Sequence, residues 1–288
     1  MKYAGIALAI AICACGPSST REPDGNGGSN GSNGSGSNNG NGDGCSDSAK
    51  LVYVVDMSNQ FSQFDPSTKT FHDLGTLSCP SSGSPFSMSV DRNTVAWVLY
   101  DSGELFRVDI TQNLACTKTS WSSPGGLSQF GMGFSTDTTG GTTDTLFIAG
   151  GSTVGSSSPS TLAKLDTGSM SEMTVGSVQG WPELTGTGTA QLWGWFPDQA
   201  SPRVEEIDKT SGTAIKTYPQ NALAGMPSAW AFAFWGGDFW IFLMKDLEFS
   251  TTVYQIDGNT GAMKGSTPTG SRVIVGAGVS TCAPVVIQ

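Results

Sequence analysis

Near the end of the sequence, Val273-Ile-Val-Gly-Ala-Gly-Val-Ser-Thr-Cys282 alternates large apolar residues with very small ones before Ser-Thr. Phe130-Gly-Met-Gly-Phe-Ser-Thr-Asp137 repeats that design, and Phe86-Ser-Met-Ser-Val90 and Trp230-Ala-Phe-Ala-Phe234 are variants of it. A period-2 alternation of this kind is a strand signal. The last copy has no strands after it to complete a unit, so its partners must lie at the other end of the chain.

Two further strand types recur between these copies. Strongly apolar runs fall at 51–55, 95–99, 145–149, 191–196 and 239–244, and near-continuous apolarity implies burial on both faces. Each precedes a strand that closes on Asp: Phe61-Ser-Gln-Phe-Asp65, Leu105-Phe-Arg-Val-Asp109, Leu162-Ala-Lys-Leu-Asp166, Val204-Glu-Glu-Ile-Asp208 and Val253-Tyr-Gln-Ile-Asp257. The Asp-to-Asp intervals are 44, 57, 42 and 49 residues, and the small-residue strands start at Phe86, Phe130, Trp181, Trp230 and Val275. Units of roughly 40–50 residues with four strands each are the signature of propeller blades. The fold expected is all-β, a five-bladed β-propeller. The third start, Trp181-Pro-Glu-Leu-Thr185, lacks the alternation, so its strand is expected to be displaced.

Five apolar strands and five Asp-ended strands leave the first unit without an inner strand. Pairing 273–280 beside 51–55 supplies it and closes the ring without a free edge. That closure brings Cys282 to Cys45. The four cysteines after residue 44 have three possible pairings, and ring closure selects Cys45–Cys282, leaving Cys79 with Cys116. The residues after each Asp, such as Asp257-Gly-Asn-Thr-Gly261, read as turn chemistry rather than as a calcium loop, because too few oxygens align.

The N-terminus reads as an address. Lys2 and the apolar residues 4–12 form an export signal, too short to span a bilayer, which takes roughly 20 residues. Ile12-Cys13-Ala14-Cys15 resembles the bacterial lipobox, which makes Cys15 the lipidated residue, and Gly16 rather than Asp behind it implies the outer membrane. Residues 1–14 are thus a lipoprotein signal peptide, 15–44 the lipidated Cys15 and a Gly/Ser/Asn tether, and 45–288 the propeller. A flexible tether of that length spans about 30 Å. The repeats resemble bacterial β-propellers of the kelch and NHL kind.

Composition limits the function. Without Lys2 the chain carries 13 basic and 24 acidic residues and no basic cluster, which argues against nucleic acid. The single histidine, His72, reads as exposed on an outer strand, so no His-dependent catalytic triad is expected; Gly27-Gly-Ser-Asn-Gly31 falls in the tether, outside any strand–turn–helix context. No cysteine pair has metal-ligand spacing, and no metal or cofactor is expected. Among the carboxylates near strand ends, Asp91, Asp137 and Asp238 fall in hairpin turns. Glu183 alone lies within an inner strand, and a glycosidase needs two carboxylates facing one another. No catalytic residue is assigned. Trp121 and Trp181, at strand ends, join Glu183 as the candidate ligand surface; Trp193, Trp195, Trp235 and Trp240 read as core. The expectation is a lipid-anchored binding module of the bacterial envelope, with a protein or carbohydrate ligand. The alternative is an envelope carbohydrate-active enzyme or a lectin-like propeller.

Overall fold

A computed structural model describes residues 45–123, 125–152, 154 and 159–286. The signal-peptide, lipidation and tether assignments fall outside these residues. Four antiparallel strands make each of five sheets. The first sheet holds β1 (Val52–Asp56), β2 (Gln60–Asp65) and β3 (Thr70–Thr76); the second β4 (Pro85–Val90), β5 (Val95–Tyr100), β6 (Leu105–Asp109) and β7 (Ala115–Lys118). The third holds β8 (Gln129–Thr136), β9 (Asp144–Gly151), β10 (Ser160–Leu165) and β11 (Glu172–Val178). The fourth holds β12 (Glu183–Gly186), β13 (Leu192–Phe196), β14 (Arg203–Ile207) and β15 (Ala214–Pro219), and the fifth β16 (Pro227–Trp235), β17 (Asp238–Lys245), β18 (Thr252–Asp257) and β19 (Met263–Pro268). The last strand, β20 (Ile274–Gly278), pairs with β1 through Tyr53↔Gly278, Val54↔Ala277 and Val55↔Gly276, completing the first blade as the alternation required.

The hydrophobic core is divided among the blades. Among the described residues five buried clusters occur, and each joins residues of two neighbouring blades. Strand β1 shows how the apolar runs serve two interfaces at once. Val52 and Val54 pack toward the fifth blade with Trp240 and Phe242, while Tyr53 and Val55 pack toward the second with Met88 and Val98. Each such fully buried side chain contributes about 1.5–3 kcal/mol, and polar residues on either face would remove that term. The five strand-ending Asp residues cap their own turns, each accepting the backbone N–H two residues on at 2.7–3.1 Å.

Small residues on the inner strands let neighbouring blades touch through their backbones. A Cβ at Gly131 would stand 2.1 Å from the Pro182 carbonyl oxygen, and one at Gly186 would stand 2.2 Å from that of Phe134. Crowding therefore acts between adjacent inner strands. The displaced fourth strand is the shortest of the five, starting at Glu183, two residues after Trp181, because Pro182 has no N–H to give a ladder.

Both disulfides form as the ring closure required, Cys45–Cys282 with a Cα separation of 5.9 Å and Cys79–Cys116 with 5.3 Å. The first is embedded in a polar knot. Arg92 Nη1 lies 3.7 Å from Cys45 Sγ and 3.9 Å from Cys282 Sγ, while its Nε donates to Asp144 Oδ2 at 2.8 Å. Thr281, next to the cystine, donates to the same Asp144 oxygen at 2.6 Å. The clasp of the first blade is thereby tied to the second and third.

Candidate functional site

Inner strands β4, β8, β12, β16 and β20 carry a single ionisable side chain among them, Glu183. It opens β12, and its Oε2 accepts a hydrogen bond from Ser87 Oγ of β4 at 2.8 Å. Those strands belong to the fourth and second blades, with the third between them, so the bond links two non-adjacent blades on the inner side of the ring. The Met132 backbone N–H of the third blade also donates to this carboxyl. Glu183 is 3% exposed. Burial pushes its carboxyl well above the usual carboxylate range, and the bonds from Ser87 and Met132 offset only part of that.

Glu183 forms part of the wall of an axial cavity of about 160 Å³. Its other walls are mostly apolar, with Pro85, Phe86, Ala229, Trp230 and Val275 supplied by three further blades. Asp101 lies on the rim, on the β5–β6 loop, where its Oδ1 accepts from the Ser84 N–H at 3.0 Å. A second depression of about 720 Å³ abuts the first, sharing Ser228 and Trp230 with it. It runs outward past Trp181, Phe196 and Met226. Arg203 stands over the Phe196 ring at 4.4 Å and is paired with Glu205 at 2.6 Å. One end of the propeller thus carries a continuous concave surface with half-buried tryptophans and a buried acid.

The sequence-selected residues separate into two groups. Glu183 and Trp181 both reach this surface, Trp181 lying over Gly151 at its edge, where a Cβ would meet the indole at 3.3 Å. Trp121 does not. It is 5% exposed and packs edge-on against Phe130 at 5.7 Å, within the cluster shared by the second and third blades, so its faces are covered by protein. Phe86 and Trp230 were not selected as ligand residues, although both are the aromatic starts of inner strands that the repeat count used. Trp193, Trp195 and Trp240 are buried as core, and half-buried Trp235 donates to the Lys50 carbonyl at 2.8 Å.

Three other carboxylates lie at the opposite ends of the inner strands. Asp91 caps its hairpin through the Asn93 and Val95 N–H groups, Asp137 accepts from Thr145, and Asp238 is held by Lys264 and Gln255. Asp91 is four residues along β4 from Ser87, about 13 Å at the rise of a strand, beyond the roughly 5–9.5 Å of a glycosidase pair. The other carboxylate lining the axial cavity is Asp101. His72 is exposed on outer strand β3, and among the described residues no group of three His, Cys, Asp or Glu side chains could hold a metal ion.

No protein-family model matches the chain, and no curated protein matches it. Solved structures similar to it include the hydrazine synthase of Kuenenia stuttgartiensis, at 15% identity and a TM-score of 0.42 over 77% of this chain and 65% of that one. TolB from Acinetobacter baumannii is similar at 11% identity and a TM-score of 0.45, over 74% and 51%. A protein of unknown function from Bacteroides caccae is similar at 13% identity and a TM-score of 0.39, over 75% and 72%. The chain spans less than two thirds of the first two of these chains and about half of TolB.

Proposed function

We propose that this protein is a lipid-anchored β-propeller of the bacterial envelope that binds a protein or carbohydrate ligand on the end face around Glu183, without turning it over. The observation that carries the reading is the continuity of the axial cavity and the outer depression through Trp230 and Ser228. Together they make one concave site with aromatic faces, the usual form of a ligand site. The anchor rests on Ile12-Cys13-Ala14-Cys15 and the tether behind it. Two disulfides suit a chain folded in an oxidising compartment.

A glycan and peptide binding screen of the purified chain tests it. A ligand whose binding drops at least tenfold in Trp230→Ala, with melting temperature unchanged, supports the site; a ligand indifferent to Trp230→Ala and Trp181→Ala places binding elsewhere. One observation favours the enzyme reading, which is that Glu183 and Asp101 share the wall and rim of one cavity. Hydrolysis of a glycan by the chain, abolished in Asp101→Asn, would replace the binding reading with that one.

A further inference from the structure

The axial cavity differs in chemistry from the depression beside it. At about 160 Å³ it is smaller than the roughly 300–1,000 Å³ of pockets that take whole small molecules. It has the dimensions of a socket for one side chain. Its walls, Pro85, Phe86, Ala229, Trp230 and Val275, offer apolar and aromatic surface, and the one charge-bearing group buried in it is Glu183. Ser84, Asp101 and Ser228 stand nearer solvent at the rim.

A sugar ring suits such a socket poorly. It carries hydroxyls around its whole edge, and each one buried without a partner costs about 1–3 kcal/mol. The wall residues can satisfy one or two of them. A neutral apolar side chain would leave the buried carboxyl where it is and gain nothing from it. An unbranched alkyl stem with a cationic tip meets both requirements: the stem lies along apolar wall, and the tip reaches a carboxylate past aromatic faces that attract cations. The net charge of the chain, −10, draws cations toward it over a longer range.

We propose that the axial cavity is a socket for the primary ammonium of a lysine side chain, presented by an extended peptide whose neighbouring residues lie in the depression along Trp181 and Trp230. This rests on the end face being the binding site and specifies what enters it. Ser87, from a non-adjacent blade, holds the Glu183 carboxyl in place before any ligand arrives. Burial raises that carboxyl above the usual carboxylate range in the empty socket, and an ammonium beside it would favour its ionised form. No charged residue of β4, β8, β16 or β20 competes for that role.

The test uses the purified full chain and nuclear magnetic resonance of its tryptophan indole N–H groups, with the Trp230 signal identified by its loss in Trp230→Phe. Titration with n-butylammonium chloride is expected to shift that signal saturably, n-butanol to act at least tenfold more weakly, and Glu183→Gln to weaken butylammonium at least tenfold. The isosteric Glu183→Gln chain should melt no lower than the parent, which separates lost binding from lost folding. Equal shifts from butanol, or an unaltered affinity in Glu183→Gln, would overturn the socket. A second arm compares the peptide acetyl-Gly-Gly-Lys-Gly-Gly-amide with its norleucine counterpart. The lysine peptide is expected to bind more tightly than butylammonium and to move the Trp181 signal as well; if it does neither, the socket serves free amines and the peptide claim fails. A screened ligand that needs Trp230 but ignores butylammonium and Glu183→Gln defeats the socket while leaving the binding face intact.

Discussion

Ser87 donates its hydroxyl hydrogen to Glu183 over 2.8 Å, joining residues 96 positions apart on two non-adjacent blades. Because that bond and the Met132 N–H leave burial dominant, the folded carboxyl titrates above its ordinary value of 4.5. An acid with a raised folded value holds its proton in the folded state when the unfolded chain has released it. Its stabilising contribution is therefore complete below the unfolded value and is lost as pH rises from there toward the folded one, at no more than about 1.4 kcal/mol per pH unit. Melting temperature should fall more steeply for the parent than for Glu183→Gln as pH rises from about 4.5. Parallel curves would mean that Glu183 is not held neutral.

Arg92 and Asp144 give a second prediction, about the clasp rather than the mouth. Their side chains are 17% and 7% exposed, and Asp144 also accepts from Thr281 beside the cystine. Removing one partner of a mostly buried pair leaves a charge without compensation, worth about 3 kcal/mol at the low end for such sites. Arg92→Met is expected to lower the melting temperature by roughly 6–12 °C, taking about 2–4 °C per kcal/mol for a domain of this size. Adding Asp144→Asn should recover most of that loss. A double variant as unstable as the single would show that Arg92 acts through its packing and not through the ion pair.

The five-fold period and the closure were legible because each strand type has its own physical requirement. Inner strands need small residues where backbones meet, as Gly131 and Gly186 do; second strands need apolar residues on both faces, as Val52 and Tyr53 do; third strands need a turn-capping Asp. The fourth inner strand was harder to place because Pro182 delays it and only four residues pair. Glu183 was legible as an ionisable residue in a strand type that otherwise has none. The aromatic mouth was not: Phe86 and Trp230 hold the same place in their repeats as Phe130, yet Phe130 is fully buried and they are half-buried, a difference the repeat pattern does not encode. Trp121 was misplaced for a related reason, since the segment between β7 and β8 has no periodicity from which to tell which way it folds.

The two disulfides should differ in what they protect. Their sequence separations are 237 and 37 residues, for which the chain-entropy relation gives about 5 and about 4 kcal/mol. The location matters more than that difference. Cys282 lies four residues beyond β20, the strand that closes the ring, whereas the second bridge joins Cys79, three residues beyond outer strand β3, to Cys116 on outer strand β7 of the next blade. In Cys45→Ser/Cys282→Ser the amides of β20 should exchange with solvent well before those of β16 and β17. In Cys79→Ser/Cys116→Ser β20 should stay as protected as in the parent. If both pairs expose β20 equally, the clasp has no special part in closing the propeller.

The anchor is a prediction about two cysteines two residues apart. Lipid attachment to Cys15 places Ile12 three residues before it and Ala14 directly before it, an aliphatic and a small residue where a lipobox has them; attachment to Cys13 would put the bulky Ile12 at the position that must be small. Fatty-acid labelling of cells producing the chain should therefore mark the parent and Cys13→Ala and should be lost in Cys15→Ala. Loss of label should coincide with weaker retention of the chain in the membrane fraction, because each buried acyl CH₂ contributes about 0.8 kcal/mol. Label that persists in Cys15→Ala would remove the lipid anchor from the proposed function, while leaving the binding face around Glu183 to be judged on its own tests.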